Sequence, residues 1–211
     1  MGLAGAFLRL RTSMLTELDV INDMLASLGE SPLNAIDEDH PLVASGVRKL
    51  RVANAREQAK SWWFNREQVT IQPDPDTGFT YVPGDTLSID PVSSWTHLVQ
   101  RGRRLFDPSG KGYKIGKPVT VNLVREIPFE DLPTMAQAYI SLAAQEDFQK
   151  DYDADRLKYE QIMSQKREAF LVLRAEDIRN AGVNLLYTQG TLSRANYLYG
   201  GRVPGRHLPT R

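Results

Sequence analysis

The spacing of the hydrophobic residues changes twice along this chain of 211 residues. Apolar residues recur at intervals of three and four over 14–66 and again over 130–182, whereas apolar and polar residues alternate over 67–129. The two patterns require different structures, because a helix places every third or fourth side chain on one face and a strand places every second. The sequence therefore predicts an α+β fold, with a four-helix bundle, an inserted antiparallel β module and an extended C-terminal tail.

Capping residues and helix breakers set the limits of the predicted helices. The first helix occupies about residues 16–28, and the second begins at Pro41, a residue favoured in the first helical turn. The third follows the β module, and the fourth spans about 154–180 and ends at Gly182. The aromatic triplet at 62–64 is predicted to close the end of the core.

The β module contains several short alternating segments and one candidate contact site. Strands are predicted at 69–71, 79–82, 87–89 and 119–124. The stretch Arg101–Asp107 is predicted to form a hairpin that turns at Gly102. Three arginines without further interleaved aromatic residues are more typical of a subunit contact than of a nucleic-acid site. The candidate contact residues are Arg101, Arg103, Arg104 and Phe106.

The charge of the chain is balanced overall and segregated locally. Its 26 Lys and Arg offset 26 Asp and Glu, so no general attraction to nucleic acid or to an anionic membrane is expected. Residues 130–177 nevertheless hold eleven acids against six bases, and five arginines without any acid follow from Ile178 onward. The apolar run at residues 2–10 is too short to span a membrane. Polarised segments in a neutral chain indicate protein partners.

Residues that could carry catalytic or metal chemistry are few and scattered. The lack of cysteine excludes a disulfide, a thiolate metal site and a cysteine nucleophile. His40, His97 and His207 lie in different segments without metal-ligand spacing, and no phosphate-binding glycine loop occurs. The acids of the third and fourth helices could supply a carboxylate pair for glycoside hydrolysis, but a solvated helix face explains them more simply. The sequence predicts no cofactor, no metal and no enzymatic activity.

The two ends of the chain differ from its middle. Residues 1–13 precede the first helical pattern and are predicted to be an N-terminal extension. The Gly and Pro content of 183–211 opposes a stable helix, so this segment is predicted to be a flexible docking tail. Its apolar and aromatic residues exceed what a linker requires, and its arginines would steer it toward an acidic partner. The candidate docking residues are Leu185, Leu186, Tyr187, Arg194, Tyr197, Leu198, Tyr199, Arg202 and Arg206.

Four stretches of the chain, in order, resemble the tail tubular protein A family of podovirus-type phages. They are Ile21–Pro32 with its Gly-Glu-Ser-Pro exit, Ala53–Arg56 with Trp62–Asn65, Arg101–Asp107 with Val119–Val121 and Pro128–Pro133, and Asn180–Leu186. The resemblance covers about residues 14–190. The chain departs from the family pattern in residues 1–13 and after Leu192.

This resemblance implies a structural protein of the phage tail with an adaptor-type helical bundle. Its copies would form a dodecameric ring between the portal protein and the tail nozzle, tail tubular protein B, and genome DNA would pass through the ring without sequence-specific binding. The location would be the virion tail, after assembly in the host bacterial cytoplasm. The C-terminal docking residues would then face the portal, and the hairpin would face a neighbouring subunit or the nozzle.

Two other interpretations stay open at this point. A tail-associated polysaccharide hydrolase would use the acid-rich helices. A DNA-packaging or DNA-binding accessory protein would use the arginine hairpin and the basic C-terminal segment. The balanced charge favours a conduit, because each phosphate that the protein neutralises adds affinity and would hold the DNA in place.

Overall fold

The computed structural model of the protein describes residues 15–36, 39–92, 97–152 and 155–187. The helices in these ranges are α1 (Glu17–Ser27), α2 (Pro41–Gln58), α3 (Thr134–Tyr152) and α4 (Arg156–Tyr187), with a short 3₁₀ turn at Phe129–Asp131. The strands are β1 (Arg66–Ile71), β2 (Thr86–Pro91), β3 (Val99–Arg101), β4 (Arg104–Phe106) and β5 (Val119–Arg125). The α+β class and the insertion of strands between helices are confirmed.

Helix α1 begins and ends as its sequence predicts. Thr16 and Asp19 form a reciprocal capping box, in which the Asp19 amide donates to the Thr16 hydroxyl and the Thr16 amide donates to the Asp19 carboxylate. Gly29, with a φ of 82°, ends the helix in the left-handed region that favours glycine. The face of α1 that carries Ile21 and Met24 is buried in the helical core.

Helix α2 packs against α1 through a glycine. A Cβ atom at Gly46 would lie 3.0 Å from the Ile21 Cδ1 atom, so a larger residue would have to displace the Ile21 side chain for the two helices to stay this close. Pro41 occupies the first turn of α2, as predicted. At the far end, Trp62 is buried and its indole donates to the Glu57 carbonyl at 2.8 Å, which confirms that the aromatic triplet closes the core.

The β module has its own small core. Strands β1, β5 and β2 form an antiparallel sheet in that order, and β3 pairs with β4 as a hairpin. One face of the sheet, with Val121 and Leu123, packs on the buried Leu105 of the hairpin. The predicted strand at 79–82 is wrong, because only Tyr81 forms a bridge, opposite Arg104. Pro83 follows directly and has no N–H to continue the ladder.

Buried amide side chains join the β module to the helices, a feature that the sequence analysis missed. The Gln58 side chain donates to the Ile127 carbonyl at 2.7 Å and accepts from the Ile127 amide at 2.9 Å. Asn65 donates to the carbonyls of Gln58 and Arg125 at 2.9 and 3.0 Å. Because a buried amide must be paired, these contacts fix the path of the chain where the β module returns to the helices.

The chain divides into two compact units, with the boundary between Leu173 and Arg174 inside α4. In the second unit, Arg174 pairs with Asp177, and Arg179 pairs with Glu176. Helix α4 continues through Tyr187, so the predicted helix end at Gly182 is wrong and residues 183–187 are helical rather than extended. One internal glycine costs only about 1 kcal/mol, and the long preceding helix makes further propagation easy.

Candidate assembly surface

The arginine hairpin predicted from the sequence is present at the surface of the β module. Strands β3 and β4 pair in antiparallel register, with Arg101 opposite Arg104. Gly102 turns the chain with a φ of 62°. Leu105 is fully buried, so its neighbours in β4 are held in place by a core residue. The turn positions Arg101 and Arg103 are exposed, and Arg104 and Phe106 are half-buried.

Aromatic rings lie directly under two of these arginines. The Arg101 guanidinium carbon is 3.7 Å from the centroid of the Phe106 ring. The Arg104 guanidinium carbon is 4.4 Å from the Tyr113 centroid and 5.2 Å from the Phe79 centroid. Such stacking holds a guanidinium in place while its N–H edges stay available for an anion. These rings were not predicted from the sequence, because Phe79 and Tyr113 lie outside the hairpin segment Arg101–Asp107.

Three lysines extend the positive charge beyond the hairpin. We call the group the basic hairpin surface, and its members are Arg101, Arg103, Arg104, Lys111, Lys114 and Lys117. The range 101–117 contains one acid, Asp107, whose pKa is held below its usual value by hydrogen bonds from Ser109, with the nearby lysines lowering it further. In the described part of the chain, none of the six bases makes an ion pair, so their charge is available to a partner.

Helix α1 and its exit carry the opposite charge. The described residues 15–36 contain four acids and no Lys or Arg. We call these acids the acidic α1 surface: Glu17, Asp19, Asp23 and Glu30. Partial burial raises the pKa of Asp23 and the neighbouring Asp19 charge raises it further, which indicates a local excess of negative charge. None of the four makes an ion pair within the described residues.

The buried acids of the helices have partners, in contrast to these two surfaces. Glu146 accepts hydrogen bonds from Lys150 at 2.7 Å and from Lys166. Burial alone would raise the Glu146 pKa, but these two ammonium groups hold it below the usual value. A solvated helix face, predicted for most acids of these helices, is wrong for Glu146, because this residue is buried. A general acid for glycoside hydrolysis would need a raised pKa instead.

Glu57 forms a second buried network that the sequence analysis did not identify. Its carboxylate accepts from Arg56 at 2.8 Å, from the Tyr139 hydroxyl at 2.7 Å and from Lys60. Burial opposes ionisation of Glu57, but the three donors hold its pKa below the usual value. A single acid in the last turn of α2 gives no periodic signal, so its burial could be found only from the packing of α2 on α3.

The remaining predicted residues have varied positions. His40 is the N-cap residue of α2 and His97 is exposed, while His207 lies outside the described residues. In the described ranges, no group of three His, Asp or Glu residues could hold a metal ion, and no helix has the length and apolarity of a membrane span. Leu185, Leu186 and Tyr187 belong to the last turns of α4. The docking residues outside the described part are Arg194, Tyr197, Leu198, Tyr199, Arg202 and Arg206.

Comparison with known proteins agrees with the resemblance seen in the sequence. A family model described as "Tail tubular protein" matches residues 18–183, which is most of the chain. The protein named "Tail tubular protein A" of Klebsiella phage KP34 is 31% identical over 127 residues, covering 59% of this chain and 67% of that protein. The chain therefore belongs to the tail tubular protein family of phage tail proteins.

Proposed function

We propose that this protein is the ring-forming adaptor between the portal protein and the tail nozzle of a short-tailed phage. Membership of the tail tubular protein family makes it a structural component of a phage tail. The adaptor position, a dodecameric ring, contact with tail tubular protein B and assembly in the host cytoplasm are parts of the proposal. The protein is proposed to have no enzymatic activity.

The observation that carries the proposal is an exposed, unpaired basic surface on a module that is separate from the helical core. Arg103 is exposed and makes no ion pair in the described structure, whereas Lys60 and Lys166 in the helical part are paired with Glu57 and Glu146. Exposed charges that have no partner within the subunit are available to bind another protein. A cyclic ring needs two different complementary surfaces on each copy, and the basic hairpin surface is suited to be one of them, facing a neighbour or the nozzle.

The C-terminal segment is proposed to dock on the portal. It supplies apolar and aromatic side chains together with arginines and no acid, a combination suited to fast association and to retention by the aromatic residues. The proposed docking residues remain those predicted from the sequence: Leu185, Leu186, Tyr187, Arg194, Tyr197, Leu198, Tyr199, Arg202 and Arg206.

Genome DNA is proposed to pass through the ring without being held. The chain has no net charge, so a lumen built from its copies need not attract the duplex strongly. The free protein is proposed to be monomeric or weakly associated and to form the ring on the portal, because contacts between charged surfaces contribute little affinity by themselves.

Reconstitution with the portal tests this function. The purified chain is incubated with portal rings of its phage and imaged by electron microscopy, alone and in the mixture. We expect a second ring, co-axial with the portal, only in the mixture, and loss of binding after truncation at Gly182. A chain that binds nozzle or capsid proteins but never the portal would contradict the adaptor position.

A DNA-binding role is the second candidate, since the structure places Phe106 and Tyr113 under two arginines. Basic groups interleaved with aromatic rings are typical of nucleic-acid sites. Titration of duplex DNA at several salt concentrations would identify it through a steep salt dependence of the affinity.

A further inference from the structure

We propose that the basic hairpin surface of one copy docks on the acidic α1 surface of the next copy, and that this contact closes the ring. The inference rests on the proposed function, because it assigns the partner of a surface that the adaptor proposal leaves open. The docking site is the hairpin, and its occupant is the α1 segment of a second copy.

The basic side of the contact is preorganised. Arg101 and Arg104 are stacked on Phe106 and Tyr113, so little side-chain freedom is lost when a carboxylate binds. Arg103 is exposed and lies over Gly84, where an added Cβ atom would be 3.7 Å from its guanidinium carbon. With the lysines, the range 101–117 has six bases and one acid. The partner must therefore be strongly anionic.

The anionic partner is present in this chain. Residues 15–36 carry four acids and no base, and none of these acids is ion-paired in the described structure. Asp23 and Glu30 are exposed, and the structure puts α1 on the helical bundle while the hairpin belongs to the β module. In the described residues, no ion pair joins the two surfaces within one copy. Each copy thus offers one surface of either sign, as a head-to-tail ring requires.

The alternative anion, duplex DNA, fits less well. A subunit whose hairpin held phosphates in the lumen would retain the genome that has to leave through it, since affinity rises with each neutralised phosphate. Carboxylates of a neighbouring copy use the same guanidinium edges without this consequence. The contact consists of exposed charges, which favour rapid and correctly oriented encounter more than tight binding.

Two charge-reversed variants test the contact. The hairpin-reversed variant carries Arg103→Glu and Lys111→Glu, which leaves the stacked Arg101 and Arg104 in place. The α1-reversed variant carries Asp23→Lys and Glu30→Lys, which leaves the capping residue Asp19 in place. A control variant carries Arg48→Glu and Arg167→Glu. It makes the same change of charge as the hairpin-reversed variant, at exposed helical residues that have no ion pair in the described structure.

The expected results concern ring formation on the portal, measured as the protein concentration at which half of the portals carry a ring. Each reversed variant alone should need at least roughly tenfold more protein, because the reversed side chains then repel the facing surface at every contact and most of the net charge that attracts the two surfaces is lost. An equimolar mixture of both variants should assemble within about twofold of the unmodified protein, because every contact in an alternating, even-numbered ring then joins either two unmodified surfaces or two surfaces with exchanged charges. The control should behave as the unmodified chain does.

Other outcomes overturn the inference in distinguishable ways. If reversal of either surface leaves ring formation unchanged, or if mixing gives no rescue although both variants melt like the unmodified protein, the two surfaces are not partners. If the hairpin-reversed variant forms rings normally but loses affinity for duplex DNA, the surface binds nucleic acid instead. If the unmodified protein forms no ring on the portal, the proposed function fails first and this contact fails with it.

Discussion

The buried acids of the helical bundle and the arginines of the hairpin differ in whether they have partners of opposite charge. In the helices, the buried carboxylates of Glu57 and Glu146 are each surrounded by ammonium, guanidinium or hydroxyl donors. In the β module, Arg101 and Arg104 rest on aromatic rings and have no carboxylate partner in the described structure. Charges that are paired within the subunit stabilise it, whereas unpaired charges that are held in a fixed position are available for assembly.

The largest effect is expected where the hairpin meets its core. Leu105→Ala should lower the free energy of unfolding by about 2–5 kcal/mol, because it removes a fully buried side chain and leaves a cavity. Urea denaturation measures this loss. Val99→Ala, at a position that is 43% exposed in the paired strand, is the control and should cost far less. A similar cost for both substitutions would mean that the hairpin is not anchored by the core.

Breaking a buried ion pair in the bundle should have the next largest effect. Glu57→Ala should cost roughly 2–3 kcal/mol, less than a fully buried pair would, because Arg56 and Lys60 remain half-exposed to water. Glu57→Gln retains a hydrogen-bond acceptor for Tyr139 and should cost less than Glu57→Ala. Chemical denaturation of the two variants compares them. An alanine variant as stable as the unmodified protein would show that the network is dispensable.

The sequence predicted the features that have a local cause. The start of α1 follows from Thr16 and Asp19, and the hairpin turn follows from Gly102, because caps and turns depend on neighbouring residues. The rings under the arginines could not be predicted, since Phe79 and Tyr113 approach only when the module folds. The predicted end of α4 at Gly182 was wrong for a different reason. Glycine is a common stop signal, but propagation of a long helix can override it.

The burial of Glu146 could not be predicted from the composition of its segment. Glu146 lies in an acid-rich segment that contains many exposed carboxylates, so composition alone favoured a solvated position. Lys150 follows Glu146 by one turn of α3, whereas Lys166 lies on α4 and reaches Glu146 only through the packing of α3 against α4. The hairpin formed where the sequence predicted it, but the rings that hold Arg101 and Arg104 in place required the folded structure.

The pH dependence of thermal stability should distinguish the buried acids of the helices from the arginines of the hairpin. The pKa values of Glu57 and Glu146 are lowered in the folded state from the ordinary glutamate value of 4.5, so their contribution to stability is present above that pH and is lost as the pH falls through the folded-state values. Thermal melts between pH 7 and pH 3 should show this loss in the unmodified protein and a weaker loss in Glu146→Gln.

The hairpin supplies the control for that titration. Arg103→Ala leaves both buried carboxylates in place, so its stability should fall with decreasing pH as steeply as that of the unmodified protein. If Glu146→Gln keeps the full pH dependence, other carboxylates carry it, and the assignment to the buried network is wrong.

The smallest effects come from a matched pair of arginine substitutions, one in each region. Arg56 donates to Glu57 at 2.8 Å and to Asp147 at 2.6 Å, whereas Arg103 is exposed and makes no ion pair in the described structure. Arg56→Ala should therefore cost about 1 kcal/mol of stability, since its side chain is partly solvated, and Arg103→Ala should stay within about 0.5 kcal/mol of the unmodified protein.

Ring formation on the portal should show the reverse order, with the larger loss for Arg103→Ala. Both quantities can be measured on the same preparations by denaturation and by electron microscopy. Equal losses of stability, or a greater loss of assembly for Arg56→Ala, would remove the distinction between charges that stabilise the subunit and charges that join it to its neighbours.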